Sequence, residues 1–283
     1  METKEFDLTT ELIDRYMYYL QEQERATATI QKYMHDLKSL YVFLNGAPLT
    51  KTALIAWKGQ LAEAYAPASV NSMLAAINSF LTFMGWRELT VKPLKIQRTI
   101  FLDEQKELTR DEYVRLVKAA EHSENERLAL IMQTICATGI RVSELRFITV
   151  SAVQTGRAEI VNKGKRRIVF LPDKLRRTLH KYIKKQKRTA GAVFVTRSGN
   201  PLDRSNIWRD MKSLCESAGV DTSKVFPHNL RHLFARTYYL LQKDLVRLAD
   251  ILGHTSINTT RIYTAESGSI HARQMERLAL VIT

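Results

Sequence analysis

The spacing of apolar residues over the first 88 positions constrains this chain more than any other feature. In LTTELIDRYMYYL, the residues Leu12, Ile13, Tyr16, Met17 and Leu20 recur at helical intervals. ATIQKYMHDLKSLYVFL repeats the pattern with Ile30, Tyr33, Leu37, Leu40, Tyr41 and Leu44, and SVNSMLAAINSFLTFMGW with Val70, Leu74, Ile77, Leu81 and Met84. Steps of three and four place side chains on one face of an α-helix. Ser69 is a candidate N-cap for the last of these helices, and Gly85 its stop. No period-two alternation intervenes. The pattern predicts a bundle of four or five helices over residues 1–90.

The character changes at VKPLKIQRTIFLDEQKE, where a proline and mixed charge replace sustained periodicity. Residues 91–106 therefore read as a linker. A second domain, 107–283, opens with a Thr-x-x-Glu capping box at Thr109 and Glu112. A helix around Arg127–Ala137 stops at Thr138-Gly139. RAEIV and RRIVFL then read as strands of a hairpin turned at Asn162-Lys163-Gly164-Lys165. VFVT at 193–196 is a further expected strand, and the remainder is expected to be helical to the end. The fold class is mainly α: an N-terminal helical bundle, then a mostly helical domain carrying a small antiparallel β-sheet.

Charge divides the chain in the same way. Residues 1–104 hold 11 Lys+Arg and 12 Asp+Glu, a balance of −1; residues 105–283 hold 32 and 17, a balance of +15. Such asymmetry points to a polyanion held by the second domain, nucleic acid first among them, although solubility alone would also use net charge. The stretch 163–188 carries twelve Lys+Arg against Asp173 alone. Arg176, Arg177, Lys184 and Lys185 could track a phosphate backbone there, or simply form a solvated face. No apolar run reaches the about 18 residues of a membrane span, and METKEFDLTTEL lacks the apolar centre of a secretory signal. Cys136 and Cys215 have no local partner. A reducing, cytoplasmic setting is expected, with no membrane.

Four stretches place polar groups where a fold alone would not need them. In ATGIRVSEL, Arg141 follows a helix-ending glycine and opens the next helix, where its charge adds to the positive end of a helix dipole. Glu144, three residues on, could orient it, or the two could form an ordinary surface ion pair. Lys163 stands at the hairpin tip, which is also common turn chemistry. In PHNLRHLFA, His228 and Arg231 share a helical face. His232, four residues after His228, raises a metal site, but Asn229 occupies the place of a zincin glutamate, and a buried structural histidine is the better account. In LGHTSINTTRIYT, Gly253 closes a helix so that His254 emerges at its end, and Tyr263 follows a second short helix. A half-buried loop tyrosine is the plain alternative.

Taken together, these residues suit phosphodiester chemistry without a carboxylate pair. Guanidinium forks hold non-bridging oxygens and the charge that grows on them. A phenol, with its pKa of about 10, needs a base or local positive charge to attack at neutral pH. A histidine can serve as that base, and a lysine can protonate the leaving alkoxide.

The boxes ATGIRVSEL, NKGKRRIVFLP, PHNLRHLFA and LGHTSINTTRIYT resemble, in order, spacing and content, those of the tyrosine recombinases of the phage-integrase and Xer type. The resemblance spans 107–283, and the first helices resemble that family's SAM-like core-binding domain. It implies that Tyr263 attacks the scissile phosphate, keeps the 3′ end as an ester and frees a 5′-hydroxyl. Arg141 and Arg231 would clamp the phosphate. Lys163 would act as general acid, with Lys165 as its possible substitute, His228 would be the base, and His254 would hydrogen-bond the phosphate. No cofactor or metal is implied, because the ester conserves the bond energy. The partner would be double-stranded DNA, enclosed by the two domains. Four protomers would assemble on two sites, as a homotetramer or with a second recombinase, with an accessory DNA-bending protein as a further possible partner. The tail SIHARQMERLALVIT, with Ile270, Met275, Leu278, Leu280 and Val281, could dock on a neighbour or on its own domain. A type IB topoisomerase-like activity and a non-catalytic DNA-binding regulator are the alternatives. The target sequence is not legible, nor is the choice among integration, excision, inversion and dimer resolution.

Overall fold

The computed structural model describes residues 6–96, 104–162, 164–196, 198–254, 256–264 and 276–278. The chain divides into two compact units, Met1–Arg98 and Thr99–Thr283, each with its own hydrophobic core.

Four α-helices build the described part of the first unit: α1 (Thr10–Glu22), α2 (Thr27–Leu44), α3 (Lys51–Ala64) and α4 (Pro67–Phe83). Their inward stripes meet around Tyr16, Leu37, Leu40, Trp57, Leu74, Ile77 and Phe80, all buried. Thr9 and Thr50 cap α1 and α3 by accepting from the Leu12 and Ala53 amides, each cap stabilising by about 1 kcal/mol. The start of α4 differs from expectation. Pro67 occupies its first turn and Ala66 is the N-cap, so Ser69 lies inside the helix. Proline needs no amide partner there, and the N-cap moves three residues earlier, from Ser69 to Ala66. Gly85 does end the helix, at φ +76°.

Residues 91–96 are not a free linker. The Asn78 carboxamide donates to the Val91 carbonyl (2.8 Å) and accepts from its amide (3.0 Å). Asn71 does the same for Leu94, at 2.9 and 2.7 Å. Each side chain mimics one rung of a β-ladder, and Val91 is buried in the bundle core as a result. The lack of periodicity in this stretch reflects extended chain pinned to α4, not detachment.

The second unit is organised around α6 (Glu126–Thr138), whose residues Leu128 to Met132 are all buried. Beside it run α5 (Arg110–His122) and α11 (Pro227–Gln242). The capping box on α5 is formed: the Thr109 amide donates to Glu112 Oε2 at 2.8 Å, and the Glu112 amide to Thr109 Oγ1 at 3.2 Å. After α7 (Val150–Thr155), β1 (Arg157–Asn162) and β2 (Lys165–Phe170) pair antiparallel, with Ile160 opposite Arg167 and Ala158 opposite Val169. The expected third strand at 193–196 is not formed. Ala192 and Val195 make only isolated bridges, to Thr149 and Pro201. Val193 and Phe194 are buried by side-chain packing without a strand to pair with. Helices α8 (Asp173–Lys185), α9 (Arg204–Lys212), α10 (Cys215–Ala218), α12 (Leu245–Leu252) and α13 (Ile257–Thr260) complete the described domain. Of the tail, only residues 276–278 are described, and Leu278 is exposed. Ile270, Met275, Leu280 and Val281 lie outside the described residues. No helix among the described residues is long and apolar enough to cross a membrane.

Candidate active site

Two glycine-ended helices frame the site. α6 stops at Gly139 (φ +67°) and α12 at Gly253 (φ +65°), both left-handed, leaving unpaired carbonyls at two negative helix ends. Arg231, on α11 and only 1% exposed, bridges them. Its Nη1 donates to the Gly139 carbonyl at 2.6 Å, and its Nη2 to the Leu252 carbonyl at 2.8 Å. Those carbonyls compensate the buried charge. Burial, then the nearby Arg141, lowers its pKa to about 10, so it remains a cation at neutral pH. Arg231 Nε is buried without a protein partner.

Arg141 caps a 3₁₀ turn, Val142–Phe147, where an α-helix was expected. Its amide donates to Glu144 Oε2 (2.8 Å) and its Nη1 to Oε1 (3.1 Å). The Glu144 side chain is 2% exposed, whereas that of Arg141 is 34% exposed, so the pair is half buried with the guanidinium on the open side. Burial pushes the Glu144 carboxyl up. Hydrogen bonds from Arg167 and the Arg141 backbone, with both positive charges, outweigh it and hold the carboxyl below its usual range.

His254 follows Gly253. Its Nε2 lies 3.1 Å from Arg231 Nη2, and its Nδ1 lies 2.8 Å from Thr260 Oγ1. Arginine can only donate, so Nε2 accepts and Nδ1 carries the proton given to Thr260. Burial and the charges of Arg231, Arg141 and Arg167 push this imidazole down to about 4. It is neutral at physiological pH.

Tyr263 lies in a 3₁₀ turn, Arg261–Thr264. Its polar sequence neighbours do not leave it in the open, nor half-buried in a loop: it is 4% exposed, packed with Ala235, Leu248 and Leu252 from α11 and α12. Helices remote in sequence supply the cover. The ring meets His232 edge-on at 5.1 Å and stacks near His254 at 6.3 Å. Burial raises the phenol pKa, while Arg231, as charge and as hydrogen-bond donor, and Arg141 pull it back. The hydroxyl thus faces cations although the ring is in hydrocarbon.

His228 is exposed at the start of α11, 4.6 Å from the His232 ring. Desolvation by surrounding protein, then the charges of His232, Arg231 and Arg141, lower it to about 4. His232 Nδ1 lies 3.4 Å from Glu107, as an imidazole anchored within the structure would. The described residues contain no cluster of three metal-ligating side chains. Lys163 lies outside the described residues, and Lys165 opens β2.

The structure therefore gathers Arg141, His228, Arg231, His254 and Tyr263 in one unit. Sequence reasoning missed Arg167, Thr260 and Glu107, which hold Glu144, His254 and His232 respectively. Arg167 carried one readable signal: it alternates with Val169 on the inward face of β2.

The model of the phage integrase family matches residues 106–269, and that of the phage integrase N-terminal SAM-like domain matches 13–88. Tyrosine recombinase XerC of Roseiflexus castenholzii is 30% identical over 283 residues, covering 90% of this chain and 88% of that protein. Tyrosine recombinase XerA of Pyrococcus furiosus is 26% identical, covering 98% and 97%. A crystal structure of XerA recombinase superposes with a TM-score of 0.52 at 27% identity, covering 98% of this chain and 100% of that one. A lambda integrase (residues 75–356) dimer bound to a COC′ core site shares the fold, with a TM-score of 0.75 at 20% identity over 92% and 96%. With its catalytic-domain model matched over more than half its length, this chain belongs to the phage integrase family.

Proposed function

We propose that the protein is a site-specific DNA recombinase that cuts and rejoins duplex DNA through a 3′-phosphotyrosyl ester on Tyr263. The observation that carries this reading is the convergence of one phenol, two guanidinium groups and neutral imidazoles in a single unit. Arg141 offers the open part of its fork to the non-bridging oxygens of a phosphate, and Arg231 adds its buried positive charge beside it. The Tyr263 oxygen attacks phosphorus, and the bond to the 5′ oxygen breaks. Lys163 supplies the proton to that oxygen, and the 3′ phosphoryl stays on the phenol. His228, neutral at pH 7, is available to take the phenolic proton. His254 acts in this state by holding Arg231 through Nε2, and a bond to phosphate would require that contact to open.

The buried ring sets a condition on this chemistry. The hydroxyl already faces Arg231 and Arg141, so attack requires the ring, held among apolar neighbours, to let that oxygen reach a phosphorus bound beside them. The ester stores the energy of the broken bond, so religation to another 5′-hydroxyl needs neither ATP nor a divalent ion. A lambda integrase tetramer bound to a Holliday junction has the same fold, with a TM-score of 0.73 at 21% identity. That supports four protomers on two DNA sites here, as one chain type or with a second recombinase.

The test uses a duplex selected by repeated binding to the wild-type chain from a random-sequence pool, then nicked beside each phosphate of its centre in turn. Wild type should form a protein–DNA adduct on denaturing gels, and Tyr263→Phe should bind the duplex with unchanged affinity and form none. An adduct that survives in Tyr263→Phe refutes the assignment. Full relaxation of a supercoiled plasmid of arbitrary sequence would favour a topoisomerase, and binding without any wild-type adduct a regulator.

A further inference from the structure

We infer that Arg167 is a positioning residue of this site: it occupies the outer lone pairs of Glu144, so that Arg141 keeps most of its guanidinium free for phosphate. The inference rests on the recombinase reading above. Its starting point is the strand pattern. On β2, Arg166, Ile168 and Phe170 are exposed and Val169 is buried, which places Arg167 on the inward side beside Ala158 and Ile160. A cation on that side is costly unless an opposite charge meets it, and its Nε has no hydrogen-bond partner there. The partner is Glu144, 23 residues earlier. Arg167 Nη1 donates to Oε1 at 3.1 Å and Nη2 to Oε2 at 2.7 Å, a two-pronged fork on one carboxylate.

The consequence falls on Arg141. Glu144 already receives the Arg141 amide on Oε2. With Arg167 spanning both oxygens, only Nη1 of Arg141 is bound to the carboxylate. Without Arg167, a nearly inaccessible carboxylate would face one remaining guanidinium, and the geometry that satisfies both is the same two-pronged fork turned inward. Arg141 would then bind Glu144 in place of phosphate. A lysine at 167 keeps the charge but cannot span both oxygens.

Arg167 also braces the far side of the site. A Cβ on Gly253 would fall 2.8 Å from Arg167 Nη1 and 2.9 Å from its Cδ. Its guanidinium therefore lies directly against the turn that presents His254, and its charge helps keep His254 neutral. One side chain thus links the turn after α6, the hairpin and the end of α12.

The experiment compares single-turnover adduct formation by wild type, Arg167→Lys, Arg141→Lys and the double variant at saturating protein. The substrates are the selected nicked duplex and the same duplex with a charge-neutral methylphosphonate at the scissile position. Arg167→Lys should bind duplex as wild type does and unfold at a similar temperature, yet cleave the natural phosphate at least thirtyfold more slowly. The double variant should be no slower than Arg141→Lys alone, because both act on one guanidinium. The Arg167→Lys defect should shrink on methylphosphonate, where less charge needs neutralising. A defect equal on both substrates and multiplicative with Arg141→Lys would assign Arg167 to folding alone and overturn the proposal. Should Arg167→Lys fail to fold, Arg167→Gln, which removes the cation and likewise leaves the Glu144 carboxylate to Arg141, must give the same pattern. Absence of any wild-type adduct would instead refute the recombinase reading itself.

Discussion

The neutrality of His254 has a measurable cost at low pH. Its imidazole titrates at about 4 in the folded chain, against an ordinary value of 6.5. Between those values the unfolded chain binds a proton that the folded chain refuses, so stability rises with pH across that window. The contribution is fully present above 6.5 and is lost as pH falls towards 4. At pH 5 roughly nine-tenths or more of the unfolded imidazoles are protonated but only about a tenth of the folded ones, a difference of about 2 kcal/mol. Partial solvent access reduces this to about 1–2 kcal/mol. His228 titrates in the same direction, so the informative quantity is the difference between wild type and His254→Gln. A glutamine amide can still accept from Arg231 and donate to Thr260, but it has no proton to gain. Urea unfolding followed by circular dichroism at pH 7.5, 6 and 5 measures it. The carboxylates of Glu107, Glu112 and Glu144, held below their usual range, lose their contributions only at lower pH. The variant should lose about 1–2 kcal/mol less than wild type between pH 7.5 and 5. Parallel pH profiles would show that the Arg231–His254–Thr260 chain does not fix the charge state and would refute the reasoning.

Gly139→Ala should destabilise the second unit by about 2–4 kcal/mol. Alanine is strained at φ +67°, and its Cβ would fall 2.4 Å from the Phe234 ring; thermal or urea unfolding checks it. DNA binding should weaken steeply with salt, given the +15 balance of residues 105–283 (32 Lys+Arg less 17 Asp+Glu). Neutralising even four phosphates predicts about a hundredfold loss between 50 and 200 mM salt, readable as the slope of log affinity against log salt concentration. A flat response would contradict a grip led by the phosphate backbone.

The parts of this molecule legible in sequence are those decided locally. Helical spacing found α1, α2 and α4, Thr109 and Glu112 announced α5, and Gly139 and Gly253 marked two helix ends. What escaped was decided by partners distant in the chain. Residues 91–94 look like a linker until Asn71 and Asn78 engage their backbone. VFVT looks like a strand, but only isolated bridges reach it. Tyr263 stands among polar neighbours in sequence, and α11 and α12 cover it. Box residues could be picked out because their chemistry exceeds what folding needs. Thr260 could not, because only its contact with the His254 ring identifies it, and the alternation that turns Arg167 inward does not name Glu144 as its partner.

Arg231 shows why fold and chemistry in this domain are difficult to separate. A lone buried guanidinium would be too costly to keep. Here the cost is offset by two carbonyls that terminate α6 and α12, and those carbonyls are available only because both helices end at left-handed glycines. The same two bonds that fasten the helix ends together fix the direction of the remaining Nε–H. Removing the arginine therefore strips two helix termini of their donors as well as a phosphate of its clamp. Replacing it with lysine leaves one ammonium to serve three acceptors that lie in different directions. Loss of activity in an Arg231 variant is accordingly weak evidence about catalysis by itself. The cleaner probes of the reaction are Tyr263→Phe, which removes one oxygen and no packing, and substitutions at Arg141, whose guanidinium is not used to join helices.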